Sequence, residues 1–336
     1  MILDPQEMVE AEKQLIEGGV NPESLMDEAG LGISNAVSQF FPQPGTLFVF
    51  VGHGHNGGDA LVAARHLKAR GWITELKFAT SINNLKPLTS KKLHEFEKEP
   101  ARPNRLYDSG QKLPLISIDG LLGIGASGDL RPGYLELAVE INSLRDNYHA
   151  VTFSLDIPSG LDGKSGNAYE GAVVADFTLT IAYPKTGLLR DHSINYVGRL
   201  VLINLPNIYP LPGQGDHDAF LINSFSLGGF LNKSLHDAHK GINGHVGIIG
   251  GNQGMIGASV LSGIAALKGG AGLVTIIARE DMYSLIASIS PPEIMIVPVK
   301  SYTEVNEMPL DTIAIGPGLG KGEWDSEVLE MLTSEF

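Results

Sequence analysis

Leu47-Phe48-Val49-Phe50-Val51-Gly52-His53-Gly54-His55-Asn56-Gly57-Gly58-Asp59 decides how this chain is read. Five apolar residues rich in Val and Phe predict a fully buried strand. Four glycines follow between positions 52 and 58. From Asp59 the period changes, and Leu61, Val62, Leu67 and Trp72 fit a helix ending near Gly71. In such a strand–turn–helix unit the backbone can approach a polar ligand closely. The helix N-terminus then offers free N–H groups and a positive dipole end. The turn satisfies G-x-G-x-x-G at Gly52, Gly54 and Gly57. The dinucleotide fingerprint also wants an acidic residue about 20 residues on, after the next strand. Glu75, the nearest candidate, lies inside the strand-like run 72–78, which weakens a plain dehydrogenase reading. No Gly-Lys-Ser/Thr follows, so a P-loop is excluded. The plain alternative is a tight turn with no ligand. Asn56 and Asp59 add two polar side chains at the strand end.

The 336 residues suffice for two domains, and the apolar content is ordinary for a folded chain. The formal net charge of −14 argues against nucleic-acid partners and anionic membranes. A nucleotide remains possible, because helix N-termini hold phosphates without lysine. With no cysteine, disulfides, thiolate metal sites and Cys nucleophiles are absent, which fits a cytoplasmic setting. The first residues lack the basic and apolar regions of a signal peptide. Residues 255–278 carry a single charge, Lys268, but Gly263, Gly269, Gly270 and Gly272 break the run. It reads as a helix to Lys268, a turn, and a buried strand over 273–277 rather than a membrane span.

Upstream, Met8, Ala11, Leu15 and Ile16 give one apolar helical face, ending at Gly18-Gly19. Asn21-Pro22 then starts a second helix carrying Leu25, Met26, Ala29, Ile33 and Val37. Residues 81–114 are charged and predict a solvated helix and loop. Strand 115–118 runs into a Gly-rich loop that opens on Asp119, and a helix is expected over 133–145. Strand 150–155 runs into Asp156-Ile157-Pro158-Ser159-Gly160. Further strands are expected over 177–181 and 200–203, with Lys185 on the connection. Residues 206–215 are Pro/Gly-rich and read as a linker or lid. Beyond it, strands over 273–277 and 312–315 and Gly-rich loops at Gly250-Gly251 and Gly316-Pro317-Gly318-Leu319-Gly320 form a second α/β unit. It breaks off mid-pattern at Phe336. The expected domains are residues 1–222 and 223–336.

Alternating strands and helices imply a parallel sheet, whose strand-end loops share one ligand-binding edge. Asn56 and Asp59, Asp119, then Asp156 and Ser159 would meet there. Any one of these alone is a turn former; three loops at one edge point to a site. Carboxylate, amide and hydroxyl oxygens without His or Cys suit a hard cation. Asp156 could also serve as an acid/base group. A Ser–His–Asp reading fails, because Ser159 is not in a G-x-S-x-G elbow.

Gly52-x-Gly54-x-Asn56-Gly57-Gly58-Asp59, Asp119-x-Leu121-Leu122-Gly123-x-Gly125 and Asp156-Ile157-Pro158-Ser159-Gly160 resemble the three signature loops of YjeF N-terminal domains, the NAD(P)HX epimerases. Leu25-Met26-x-x-Ala29-Gly30 resembles the N-terminal helix of that family. His239-Lys240-Gly241, Ala271-Gly272-Leu273-Val274 and Gly316-Pro317-Gly318-Leu319-Gly320 resemble the start of a fused ribokinase-like, ADP-dependent NAD(P)HX dehydratase. The resemblance implies a Rossmann-like three-layer parallel sheet followed by a partial ribokinase-like α/β domain.

It also implies the site residues. His55, Asn56, Gly57, Gly58 and Asp59 would bind the hydrated dinucleotide, as would Gly123, Ile124, Gly125, Ala126, Ser127, Gly128 and Asp129. Asn56, Asp119 and Ser159 would ligate K+. Asp156 would contact substrate and act as the acid/base. Ala258 and Gly320 match positions near the dehydratase substrate, which works with ADP or ATP. Two residues depart from the family pattern: His55 stands for the usual Asn, and Ala60 for the usual Gly. No His-Pro-Gly-Glu loop or Gly-Asp pair follows, so dehydration by this chain is not expected. The expected partners are NADHX and NADPHX, without nucleic acid or membrane, in a cytoplasmic homo-oligomer. The rival readings are a non-catalytic ligand-sensing module and a ribokinase-like small-molecule kinase.

Overall fold

The computed structural model describes residues 1–101, 113–205 and 239–322, with Ile208, Ile222, Gly228, Trp324, Glu327, Val328, Glu330 and Leu332. Contacts divide the chain into two units, Met1–Asn223 and Ser224–Phe336. The linker expected over 206–215 lies outside the described residues, apart from Ile208.

The first unit opens with helix α1, Pro5–Glu17, fixed at its start by a capping box between Asp4 and Glu7. Helix α2, Pro22–Phe40, is capped by the Asn21 side chain. There follow β1 (Thr46–Val51), α3 (His55–Ala69), β2 (Ile73–Phe78), α4 (Pro87–Lys98) and β3 (Leu115–Gly120). Then come α5 (Pro132–Tyr148), β4 (Val151–Leu155), β5 (Phe177–Ile181), the short α6 (Ile194–Val197) and β6 (Arg199–Ile203). The six strands pair in parallel in the order β2-β1-β3-β4-β5-β6.

Both faces of the sheet are covered, as a parallel sheet requires. On one face, Ile33, Val37, Leu61, Leu67 and Phe96 from α2, α3 and α4 pack on Val49, Ile116 and Phe153. On the other, Tyr134, Ala138 and Ile141 of α5 pack on Phe50 and Leu121. The expected three-layer α/β class holds.

The charged stretch differs from expectation. Helix α4 is not a solvated face, for it buries Thr89, Lys92, Leu93 and Phe96. Lys92 is buried because Glu23, Asp27 and Glu95 surround its ammonium at 2.8, 2.8 and 3.2 Å. Ala60 is expected to start a helix at little cost, and the helix starts earlier, at His55. Ala60 sits well inside α3, fully buried, with its Cβ where a side chain on Gly120 would have to go.

The second unit has a four-stranded parallel sheet in the order β10-β7-β8-β9. The strands are β7 (His245–Ile249), β8 (Leu273–Arg279), β9 (Met295–Val299) and β10 (Thr312–Ile315). Helices α7 (Ile256–Lys268) and α8 (Tyr283–Ile289) cover one face through Val260 and Ile286. Among the described residues, no helix is long and apolar enough to cross a membrane.

Candidate functional site

The strand ends of the first unit open into a cavity of about 1250 Å³. The Gly-rich turn after β1 forms one wall. Gly52 is pressed so closely on the β3 loop that an added Cβ would lie 1.8 Å from the Leu121 carbonyl oxygen. Gly57 lies equally close on Gly52, at 2.1 Å from its carbonyl oxygen. These two glycines set the first turn of α3 directly against the β1 end. Gly54, at the N-cap of α3, supplies no side chain to the first N–H groups of that helix. They therefore stay available to a ligand in the cavity.

The three loops meet at one edge. Asp119, at the end of β3, is fully buried and accepts four hydrogen bonds. Ser159 Oγ and Leu121 N donate to Oδ1 at 2.6 and 3.2 Å. Ser154 Oγ and Ser159 N donate to Oδ2, both at 2.9 Å. Ser159 Oγ in turn accepts from Leu122 N at 3.0 Å. Asn56 joins this cluster through its amide, which donates to the Leu122 carbonyl at 2.8 Å and the Leu155 carbonyl at 3.3 Å. Burial lifts the Asp119 carboxyl above the usual carboxylate range, against the pull of its four hydrogen bonds.

Asp156 is built differently. Its φ of 64° is left-handed, and so is that of Ala182, at 61°, after the neighbouring strand β5. Such conformations cost about 1–3 kcal/mol each and persist where the surroundings hold them. The Asp156 side chain is ion-paired with Lys185, whose side chain is 1% exposed. Its ammonium also donates to the Ile181 carbonyl at 2.8 Å and to Thr180 Oγ1 at 3.4 Å. The backbone of this segment is pinned by the N-terminus. Leu3 N donates to the Pro184 carbonyl at 2.9 Å, and Thr186 N to the Leu3 carbonyl at 3.0 Å.

Residues 22–187 match the family model described as YjeF-related protein N-terminus. Residues 246–335 match the model described as NAD(P)H-hydrate dehydratase. A bifunctional NAD(P)H-hydrate repair enzyme of Coxiella burnetii is 31% identical over 326 residues, 95% of this chain and 65% of the relative. Proteins so named from Archaeoglobus fulgidus and Escherichia coli are each 33% identical, over 94% and 93% of this chain and 65% and 60% of their own lengths. The chain carries a YjeF-type N-terminal part and a dehydratase-type part, and is similar to NAD(P)H-hydrate repair enzymes over most of its length. It spans about 60–65% of the length of these curated relatives.

The residues that the family motif singled out fall into three groups. His55, Asn56, Asp59, the whole loop from Gly123 to Asp129, and Asp156 line the cavity. Gly57 and Gly58 lie behind this wall; Gly58 faces Met26 of α2. Asp119 and Ser159 sit beneath the floor, joined to it through Leu122 and Asn56. Ala258 and Gly320 belong to the second unit, where Ala258 faces Gly318 and Gly320 faces Met255.

His55 opens α3. Burial, and then the charge of Lys86, lower its pKa, so the ring is neutral near pH 7. It can offer a phosphate a hydrogen bond but not a charge. Cavity-lining residues that the sequence did not single out include Glu12 of α1, Lys86, Arg131, Tyr134 and Lys185. Tyr134 OH lies 2.7 Å from His53 Nδ1 and steadies the glycine turn. Nothing local marks Glu12 or Lys185: one lies on an ordinary amphipathic helix, the other on a connection.

Proposed function

We propose that the first unit epimerises the R and S forms of hydrated NADH and NADPH at C6 of the nicotinamide ring. The observation that carries this reading is the cavity-facing Asp156, held in a left-handed backbone beside the buried Lys185. An ionised carboxylate there can take a proton from a hydroxyl or water bound in the cavity. The free N–H groups of α3 suit the substrate pyrophosphate. The loop from Gly123 to Asp129 lines the remaining polar wall.

K+ suits the cluster below the floor. Asp119 is a buried carboxylate with no cationic partner among the described residues. Asn56, Asp119 and Ser159 supply only amide, carboxylate and hydroxyl oxygens, the donor set of a hard cation. When bound, the ion supplies positive charge at the floor. Asn56 and Ser159 then hold Leu122, and with it the loop that lines the cavity.

The second unit is read as the dehydratase part of the family. Its nucleotide would be ADP or ATP, with Ala258 and Gly320 near the substrate. A cytoplasmic homo-oligomer remains the expectation for the whole assembly.

The test is direct. Purified protein is given (R)-NADPHX and the two epimers are followed by chromatography. Epimerisation should be rapid, and Asp156→Asn should slow it by at least about 100-fold, the loss typical of a removed acid/base group. Near-normal turnover in that variant would take Asp156 out of the reaction.

A further inference from the structure

Three carboxyl groups from separate elements face the cavity floor, and they are not equivalent. Asp156 Oδ1 is tied to Lys185 and accepts weakly from Ile181 N at 3.4 Å. Glu12 reaches in from α1. Asp59, on the second turn of α3, lines the cavity without a hydrogen-bond partner among the described residues. Asp119, by contrast, accepts from four protein donors beneath the floor.

The strand order places β3 between β1 and β4. Asp59 follows β1 and Asp156 follows β4, so the two carboxyls enter the cavity from the two sides of the β3 end. Lys185 cannot serve as the acid between them. Its three N–H bonds go to Asp156, the Ile181 carbonyl and Thr180 Oγ1.

We propose that Asp59 is the proton donor opposite Asp156 in the epimerisation, and that Lys185 is a positioning residue that assigns the two carboxyls their opposite roles. The inference rests on the epimerase reading and on Asp156 as the base. Asp59 protonates the hydroxyl on C6, which leaves as water with the C–O electron pair. The ring nitrogen lone pair forms the N1=C6 double bond. Water adds to the opposite face of C6 and gives its proton to Asp156. One water leaves and one enters, no oxidation state changes, and one proton has passed from Asp59 to Asp156. That protonation state is the starting state for the reverse direction.

The surrounding charges agree with this division. Burial, then the charges of Asp156 and Glu12, push the Asp59 carboxyl well above the usual carboxylate range. Burial and Asp156 also raise Glu12, while Lys185 and Lys86 pull it down. His55, on the same helix as Asp59, is neutral near pH 7 and adds no charge. Carboxyl groups whose surroundings drive them apart are the pattern of an acid and base pair.

The experiment compares wild type, Asp59→Asn, Asp156→Asn and Lys185→Met in epimerisation of (R)-NADPHX across pH, with a parallel run in oxygen-18 water. Asp59→Asn should lower kcat at least about 100-fold. Its KM should stay within about threefold, since an acid acts in the transition state and not in ground-state binding. The alkaline limb of the wild-type profile, set by loss of the Asp59 proton, should vanish. Lys185→Met should lower kcat more than it raises KM, because Asp156 loses the partner that positions it. Wild type should place one solvent oxygen on C6 per epimerisation, above the enzyme-free rate. Asp59→Asn is isosteric and removes a crowded carboxyl, so its melting temperature should not fall; the oxygen-18 run needs no variant at all.

A dead Asp156→Asn beside an Asp59→Asn that keeps turnover and its alkaline limb would overturn the Asp59 assignment alone. Epimerised product that retains its oxygen would overturn the C–O cleavage. A fully active Asp156→Asn would remove the base, and the epimerase reading of Asp156 would fall with it.

Discussion

Asp119→Asn is the sharpest probe of the floor. The four donors around this carboxylate are two serine hydroxyls, Ser154 and Ser159, and two backbone N–H groups, Leu121 and Ser159. The hydroxyls can turn and accept from an amide; the backbone N–H groups cannot. Each carboxylate oxygen accepts from one of them, so either orientation of the Asn amide sets its NH2 against a fixed N–H. One hydrogen bond to a charged group is lost, worth about 1.5–3 kcal/mol, and a buried donor is left unpaired. Relief of the buried charge offsets part of this, leaving a loss of about 2–3 kcal/mol. For a unit of this size that lowers Tm by about 4–12 °C. Calorimetry reads the shift, and hydrogen exchange over residues 115–122 and 156–160 shows whether it arises in the first unit. A variant melting within about 1 °C of wild type would refute the account of Asp119 as the acceptor of four hydrogen bonds.

Three further outcomes follow from the same geometry. If K+ sits among Asn56, Asp119 and Ser159, wild type should melt higher in KCl than in choline chloride. The gain is about 1.4 kcal/mol at ten times the dissociation constant, and Asp119→Asn should lose it; equal melting in both salts would argue against the ion. Gly57→Ala drives a Cβ to 2.1 Å from the Gly52 carbonyl oxygen and should cost about 1–3 kcal/mol and most of the activity. Gly54→Ala, with nothing within 4 Å, should be nearly silent, and equal effects would show that the turn does not depend on close approach. Lys92→Met should destabilise by about 1–3 kcal/mol rather than the full cost of a broken buried pair, because Glu23, Asp27 and Glu95 keep contact with water. Burial lowers the Lys92 pKa, but Asp27, Glu23 and Glu95 outweigh it and hold it above its ordinary value of 10.5. The gain is therefore complete below that value and lost as pH rises through the higher folded one, so the two proteins should converge in urea titrations at strongly alkaline pH.

Much of this was legible because parallel sheets constrain where loops lie. Runs such as 47–51 and 115–118, each followed by glycine and a polar residue, allow little but buried strands with their ends on one edge. That is why Asn56, Asp119 and Ser159 could be placed together without coordinates. What the sequence hid depends on contacts between distant segments. Leu3 reaches Lys185 only because an N-terminal bridge joins them across the unit. Glu12 lies between Met8 and Ile16 on one side of α1, and apolar spacing alone does not reveal that this side lines a cavity. Lys92 was hidden for the same reason, since a lysine in a charged run reads as solvated until the carboxylates of another helix close over it.

Local preference fails where the cavity is built. Asp156 and Ala182 take backbone conformations that L-residues avoid, at the ends of adjacent strands β4 and β5. Glycine would relieve the strain at either position. At Asp156 it would also remove the carboxylate that Lys185 holds. Neither strain is offset locally: Asp156 N is tied to the Leu179 carbonyl, and Ala182 N to the Ile203 carbonyl one strand further on. The sheet therefore carries the cost of aiming Asp156 and Lys185 at the same point. A residue that breaks its own local rule, with a neighbouring strand holding it there, is better evidence for a working site than the motif that first drew attention to the loop.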